Sequence, residues 1–274
     1  MATSSQTNYI HGHPPEVLKA HAHRTAARDA AYLAPHIRRD SKILDIGCGP
    51  GTISADFAAL APEGSVVCFE ISEAALATAR TTFASRDLYN ADFVRGDATK
   101  LPFEDGSFDI VHAHQVLIHL PDPVAALREM RRVTKPGGGL VASKDMIMAS
   151  VNWYPPDPRL DVWRDGITGT IAETGADPEM GRRLKAAALE AGFDEERIRV
   201  GASCWSFADR EDVRFWGSSC RDRMAEGTEI RGRIVRGGYA TEDEVDGFVA
   251  ACSEWLDTKG AWYGCMNGEL LAWK

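Results

Sequence analysis

The chain of 274 residues has little of what marks a secreted, membrane-spanning or nucleic-acid-binding protein. Its six cysteines, Cys48, Cys68, Cys204, Cys220, Cys252 and Cys265, never fall at C-x-x-C spacing. That leaves out a zinc ribbon and a dithiol redox motif, and it points to reduced thiols. No apolar run approaches the roughly 20 residues that a membrane span needs, and the first residues show no basic-then-apolar leader. Repeats and low-complexity tracts are absent. Positive charge is also short, with 31 lysines and arginines against 40 acidic residues and a net charge of -9. Such a chain binds a phosphate backbone poorly unless it hides a basic stripe. The pairs Arg131-Arg132 and Arg182-Arg183 lie in helical patterns and read as solvated faces. The expectation is a cytoplasmic protein whose partners include neither nucleic acid nor membrane. Two more absences divide the chain: no histidine follows His119, and no tryptophan precedes Trp153. With 44% hydrophobic residues there is enough apolar matter for a sizeable core.

What is present is concentrated at residues 42–51, KILDIGCGPG. Ile43, Leu44 and Ile46 read as a short strand buried on both faces. Gly47, Gly49 and Gly51 follow at alternate positions, and a helical pattern starts at Thr52. Glycines admit positive φ and let a ligand approach the backbone, while the helix start offers free N–H groups. A dinucleotide fingerprint would need its third glycine where Thr52 stands. Asp45, inside the strand end, is awkward beneath a pyrophosphate and suits a ligand carrying ammonium and sulfonium charge.

Three later strand ends extend the device. Residues 65–70, SVVCFE, form a second strand ending in Glu70, about 20 residues past the turn, where a carboxylate accepts from ribose hydroxyls. A third ends at Gly96-Asp97-Ala98, where a carboxylate can accept from an adenine amino group. A fourth, at 107–114, runs into Gln115-Val116-Leu117-Ile118-His119. Strands alternating with helices at 52–60, 72–86 and 122–133 predict a parallel sheet with right-handed crossovers and ligands at its carboxyl edge. Asp109 reads as structural, holding the neighbouring turn.

LDIGCGPG at 44–51, FE at 69–70, GDA at 96–98, LPFEDGSFDIV at 101–111 and the KPGG turn at 135–138 occur in the order found in class I S-adenosylmethionine (SAM) methyltransferases. The chain resembles that class, and within it the ubiquinone/menaquinone-biosynthesis type. NYIHGH at 8–13 and RTAARDAAYLAPHI at 24–37 resemble a fungal branch acting on small secondary metabolites, which includes the thiomethyltransferase of gliotoxin-type dithiols. The resemblance implies an α/β fold: a Rossmann-like, seven-stranded, mostly parallel sheet with helices on both faces. Residues 1–40 would form an N-terminal helical cap, 41–148 the SAM-binding core and 149–274 lid insertions and closing strands, all in one domain. It implies SAM as cofactor, S-adenosylhomocysteine as product and a small-molecule substrate. The cofactor contacts expected are Tyr9 and Arg24 at the methionine end, with Arg24 on the carboxylate. They continue with Asp45, Gly47, Cys48 and Gly49 at the turn, Glu70 and Ile71 at the ribose, Asp97 and Ala98 at the adenine, and His114, Gln115 and Val116 after the fourth strand.

The rest of the chain is read from its periodicity. A helix is expected at 16–33, a fifth strand from 139, a loop at 152–158, helices at 159–174 and 178–191, and a strand at 198–207. About 50 residues then intervene, with helical stretches at 211–224 and 242–256, before a last strand at 262–273. These insertions are expected to form a lid, with Trp153, Trp163, Trp205, Phe215, Trp216 and Tyr239 as candidate pocket aromatics and Trp153 as the foremost substrate contact. Methyl transfer from a sulfonium needs position and desolvation, and sometimes a base. His119 and His114 are the candidate bases. A thiol acceptor would need little help. No metal is expected, because His21 and His23 point apart on a helix and His112 and His114 lack a partner at ligand spacing. Methylation at a ring carbon of a quinone precursor, and SAM binding without methylation, stay open as alternatives. An NAD oxidoreductase is disfavoured by Thr52, Asp45 and the Gly96-Asp97-Ala98 site. No N-P-P-Y-type tetrad of base methyltransferases follows the fourth strand.

Overall fold

The structure, a computed structural model, describes residues 23–274. Five strands run parallel: β1 (Lys42–Ile46), β2 (Ser65–Glu70), β3 (Ala91–Arg95), β4 (Ile110–His114) and β5 (Leu140–Met146). Three more, β6 (Asn152–Tyr154), β7 (Ile198–Phe207) and β8 (Trp262–Trp273), complete an eight-stranded sheet. Its order is β3-β2-β1-β4-β5-β8-β6, with β7 on the other edge of β8. β8 is antiparallel to β5, β6 and β7. The count exceeds the expected seven by β6, which lies in the segment read as a loop. Prolines after Tyr154 end it at three residues, and it pairs with Trp262–Gly264 beyond the stretch of β8 that β5 covers.

Both faces of the parallel strands are buried, which is why they read as near-continuous apolar runs. Alternation sorts their side chains. Ile43, Ile110 and Leu140 face one apolar cluster, with α2 (Thr52–Leu60) and α3 (Glu73–Ser85). Leu44, Val111 and Val141 face the other, with α4 (Pro123–Val133) and the C-terminal helices. Helix starts follow ordinary capping chemistry. Ser72 Oγ accepts from the Ala75 N–H at 3.3 Å, and Asp122 Oδ1 from Ala125 at 2.8 Å, with Pro123 in the first turn. Asp109 does hold its turn, accepting from Lys42 N and Lys135 Nζ, each at 2.9 Å. Those contacts keep its carboxyl below the usual range despite burial.

The N-terminal helix differs from the expectation. Residues 16–22 lie outside the described residues, and no helix runs on to 33. Thr25 is extended (φ -135°) and caps a short α1 (Ala26–Asp29), after which the chain turns. On the C-terminal side, α5 (Pro158–Glu173), α6 (Met180–Glu190), α7 (Arg210–Arg223) and α9 (Glu242–Asp257) fall where helical spacing places them. α8 (Glu229–Arg236) does not have a counterpart in the sequence reading. α5, α7, α8 and α9 pack on one another and stand over the carboxyl edge of the sheet.

Candidate active site

The glycine turn is pinned from behind. Gly47 N and Cys48 N both donate to Phe69 O on β2, at 2.7 and 3.2 Å. Gly47, Gly49 and Gly51 all have positive φ, between 54° and 77°, a region that costs other residues strain. A Cβ at Gly47 would lie 2.4 Å from Val116 Cγ2, whereas one at Gly49 would enter open space. The turn is therefore packed on one side and accessible on the other.

Glu70 closes β2 beside it. Its Oε2 accepts from Gly49 N at 3.1 Å, and Oε1 accepts from Ile71 N at 2.8 Å and Ser72 N at 3.1 Å. Further along the edge, Asp97 Oδ1 accepts from the N–H and hydroxyl of Thr99, both at 2.8 Å. After β4, Gln115 takes φ 55° although it is not glycine. Its side chain donates to Asn267 Oδ1 at 2.8 Å and accepts from Met146 N at 3.2 Å. A conformation that costs on the order of 1–3 kcal/mol is thus held by bonds to two neighbouring strands.

These groups surround one cavity of about 450 Å³, within the size range of small-molecule sites. Ile46, Glu70, Gly96, His114 and Met146 place the carboxyl ends of all five parallel strands on its floor. The roof comes from the other half of the chain: Trp163, Ile167 and Ile171 of α5, Trp205 of β7, and Trp216 and Arg223 of α7. The tryptophans stand together, Trp163 and Trp205 lying 6.0 and 6.2 Å from Trp216 between ring centroids. Trp205 Nε1 donates to Asp29 at 2.8 Å, which ties the N-terminal segment to the roof.

Burial, with the charges of Arg24, His112 and Lys144, pushes the His114 pKa well below its usual value. Burial and Arg24 bring His119 down to about 3. Both rings are thereby held in the neutral form and accept a proton weakly, whereas an effective general base has a pKa near the working pH. Asp145, buried beneath the loop, is raised to about 6 by desolvation, against bonds from Ile118 N and Ser143 Oγ at 3.0 and 2.9 Å.

The expected site residues separate into two groups. Arg24, Gly47, Gly49, Glu70, Ile71, Asp97, Ala98, His114, Gln115, Val116 and His119 all line the cavity. Asp45 does not. It is buried under the turn, where Ser54 Oγ and His112 Nδ1 donate to it, the latter at 2.7 Å. It braces β1 against α2 and β4 instead of facing a ligand. Cys48 is likewise turned away, its thiol pushed up by a hydrogen bond with Cys68 and by burial. Trp153 is displaced from the substrate reading altogether. It packs edge-on against Trp255 and Tyr263, at 5.0 and 4.7 Å, because β6 carries it into the core. Tyr239 covers Gly169 and Gly237, and Phe215 stacks on His23 at 4.2 Å outside the main cavity. Tyr9 lies outside the described residues.

Lining residues that sequence reading missed include Thr99, Met146, Met148 and Arg223. The two methionines at alternate positions leaving β5 were a usable signal; one arginine on a helix that also carries Arg210, Arg214 and Arg221 was not. Among the described residues, no group of three His, Cys, Asp or Glu side chains could hold a metal ion, and no helix is long and apolar enough to cross a membrane.

A parallel sheet in the order 3-2-1-4-5, closed by antiparallel strands and binding at its carboxyl edge beside a glycine turn and an acidic strand end, defines the class I SAM-dependent methyltransferase fold. Comparison with known proteins agrees. The methyltransferase domain family matches residues 43–138. An uncharacterized methyltransferase of Schizosaccharomyces pombe is 39% identical over 221 residues, 78% of each chain. The probable methyltransferase ltbC of Aspergillus luteorubrus is 31% identical over the full length of both. A crystal structure of a Bacillus halodurans protein superposes with a TM-score of 0.59 at 23% identity, covering 90% of this chain and 99% of that one. The chain belongs to the SAM-dependent methyltransferase family.

Proposed function

We propose that the protein moves the methyl group of SAM to a heteroatom of a small, largely apolar secondary metabolite, with a thiol favoured over a hydroxyl or amine. The observation that carries this is the outer half of the cavity. Three tryptophans and two isoleucines roof it, and burial keeps its two histidines uncharged and weakly basic. Apolar walls fit an apolar acceptor and exclude water. A site without a base of matched pKa suits an acceptor that ionises by itself, and a thiol does so near pH 8.5.

The inner half fits the cofactor: an open face at Gly49, a carboxylate at Glu70 and an exposed one at Asp97. When bound, SAM supplies an electrophilic methyl group on a sulfonium. In our reading the open backbone face of the turn at Gly49 and the Glu70 carboxylate hold the ribose and methionine portions, with Ile71 against the sugar. Asp97 and Ala98 take the adenine, and Arg24 takes the amino-acid carboxylate. Gln115 and Val116 shape the floor under the reacting centre, and the tryptophan roof holds the acceptor in line. Position and dryness would then supply most of the acceleration.

The test is calorimetric titration with SAM and S-adenosylhomocysteine, followed by turnover of matched aryl thiols, phenols and hydroquinones, with products identified by mass spectrometry. Micromolar binding of both nucleosides and fastest reaction at sulfur, rising with pH through the thiol's own ionisation, are expected. Methylation of a hydroquinone ring carbon with none at sulfur would replace this reading with the quinone-precursor one.

A further inference from the structure

The roof of the cavity holds a positive charge that no acidic side chain among the described residues pairs with. Arg223, the last residue of α7, is 9% exposed. Among the described residues its side chain joins no ion pair, and its Nε is buried without an acceptor. The contrast with its neighbour is informative: Arg28 is matched by Asp212 at 3.4 Å. Arg223 borders both the main cavity and a smaller one that adjoins it. Asp29, the acid of that smaller cavity, already accepts from Trp205 Nε1 and Thr25 N.

The surroundings share this bias toward donors. Trp216 lies two turns before Arg223 on α7, and Trp163 stands 6.0 Å from Trp216. Among the described residues, the indole N–H of each is buried without a partner. A guanidinium and indole N–H groups buried in an aromatic wall are costly unless an acceptor completes them.

We propose that Arg223 is the specificity-determining residue of the acceptor chamber, and that it recognises a carboxylate carried by an aromatic acceptor. The proposal deepens the function above and rests on reading the outer half of the cavity as the acceptor's. A planar guanidinium matches a carboxylate through two parallel hydrogen bonds, and the indole walls match a flat apolar body. Arg24 and Arg28 border the smaller cavity with Arg223, but Arg28 is paired with Asp212 and Arg24 is the residue read above as holding the cofactor carboxylate, which leaves Arg223 the charge for a single carboxylate. The apolar molecule is thereby oriented, with its acid at α7 and its reacting atom toward the cofactor end.

The chamber's own tryptophans report occupancy. With S-adenosylhomocysteine present, 1-naphthoate and 1-naphthamide are titrated against intrinsic fluorescence in wild type, Arg223→Met and Arg223→Lys. The acid should bind wild type tenfold to a hundredfold tighter than the amide, as a charge-assisted pair requires. The preference should vanish in Arg223→Met and partly survive in Arg223→Lys, with S-adenosylhomocysteine affinity within twofold throughout. Equal binding of acid and amide by wild type overturns the proposal even if no variant folds, and so does a preference that persists in Arg223→Met. Because the readout is binding, failure of aryl thiols to react would count against the thiol reading alone. Loss of all S-adenosylhomocysteine binding in wild type would count against the cofactor site.

Discussion

Removing the Glu70 carboxylate tests the cofactor site most directly. In the structure its two oxygens accept from Gly49, Ile71 and Ser72 N–H groups at 3.1, 2.8 and 3.1 Å, and the residue is 7% exposed. An ionised carboxylate accepts about four hydrogen bonds and these three take most of them, so the ribose contribution is reckoned as one charge-assisted bond at about 1.5–3 kcal/mol. Glu70→Ala should therefore raise the dissociation constant for S-adenosylhomocysteine by about 10-fold to 100-fold, at about 1.4 kcal/mol per factor of ten. It should also cost about 1–3 kcal/mol of stability, because buried N–H groups lose their acceptor. Glu70→Gln is the sharper probe. One amide oxygen cannot replace both carboxylate oxygens, and the NH₂ group must face either Gly49 N or the Ile71 and Ser72 pair. Its affinity loss should be smaller than that of alanine. Calorimetry measures the affinity and urea unfolding the stability. A folded Glu70→Ala protein binding within twofold of wild type would refute the ribose assignment.

Three further outcomes are expected. Trp153→Ala should lower stability by about 3–5 kcal/mol, as large core truncations do, while leaving S-adenosylhomocysteine affinity unchanged; Trp163→Ala should instead weaken the fluorescence response to aromatic ligands. Gly47→Ala forces a Cβ to 2.4 Å from Val116 at φ 65°, so its melting temperature and S-adenosylhomocysteine affinity should both fall, each read in the same thermal-shift series. Stability should also fall on acidification. Below about pH 6.5 the unfolded chain protonates His114 and His119 while the folded chain does not, until about pH 3 for His119. The unfolded state then binds more protons, and each histidine contributes a slope of up to about 1.4 kcal/mol per pH unit. Asp145 acts with the opposite sign. Its raised folded pKa of about 6 means that the folded state takes up a proton first, which offsets part of the loss between pH 6 and 4. Urea midpoints at pH 7 and 5 should therefore drop more steeply for Asp145→Asn than for wild type.

The legible part of the site lies where chain order and geometry coincide. Gly47, Glu70, Asp97 and Gln115 each stand at the carboxyl end of a parallel strand, and the sheet brings those ends together as a matter of topology. Strand and helix periods likewise place β7, β8, α5 and α9 within a residue or so of where they occur. Elsewhere local pattern was blind. Asp45 looked like a ligand-facing acid because its own strand does not reveal that His112 sits opposite it in register on β4. Trp153 looked like a loop residue because three residues are too few for a period to show. They become a strand only when β8 offers an edge to pair with. The helix expected through Thr25 fails for a similar reason. Its alanines favour a helix, but Thr25 caps a new short one whose first N–H, that of Ala26, donates to Asp56 on α2 at 2.7 Å.

The sequence by itself determined the cofactor half of this protein: the strand-turn-helix beginning at Lys42, the acidic strand ends and the parallel order that aligns them. These depend on short-range spacing and on a crossover rule that leaves few arrangements. Tertiary structure alone decided the outer half of the cavity. Which tryptophans face the cavity, that both histidines are held neutral, and that Arg223 is buried with no carboxylate paired to it among the described residues all depend on contacts between residues far apart in the chain. Burial and pairing belong to the assembled environment, and no local pattern encodes them.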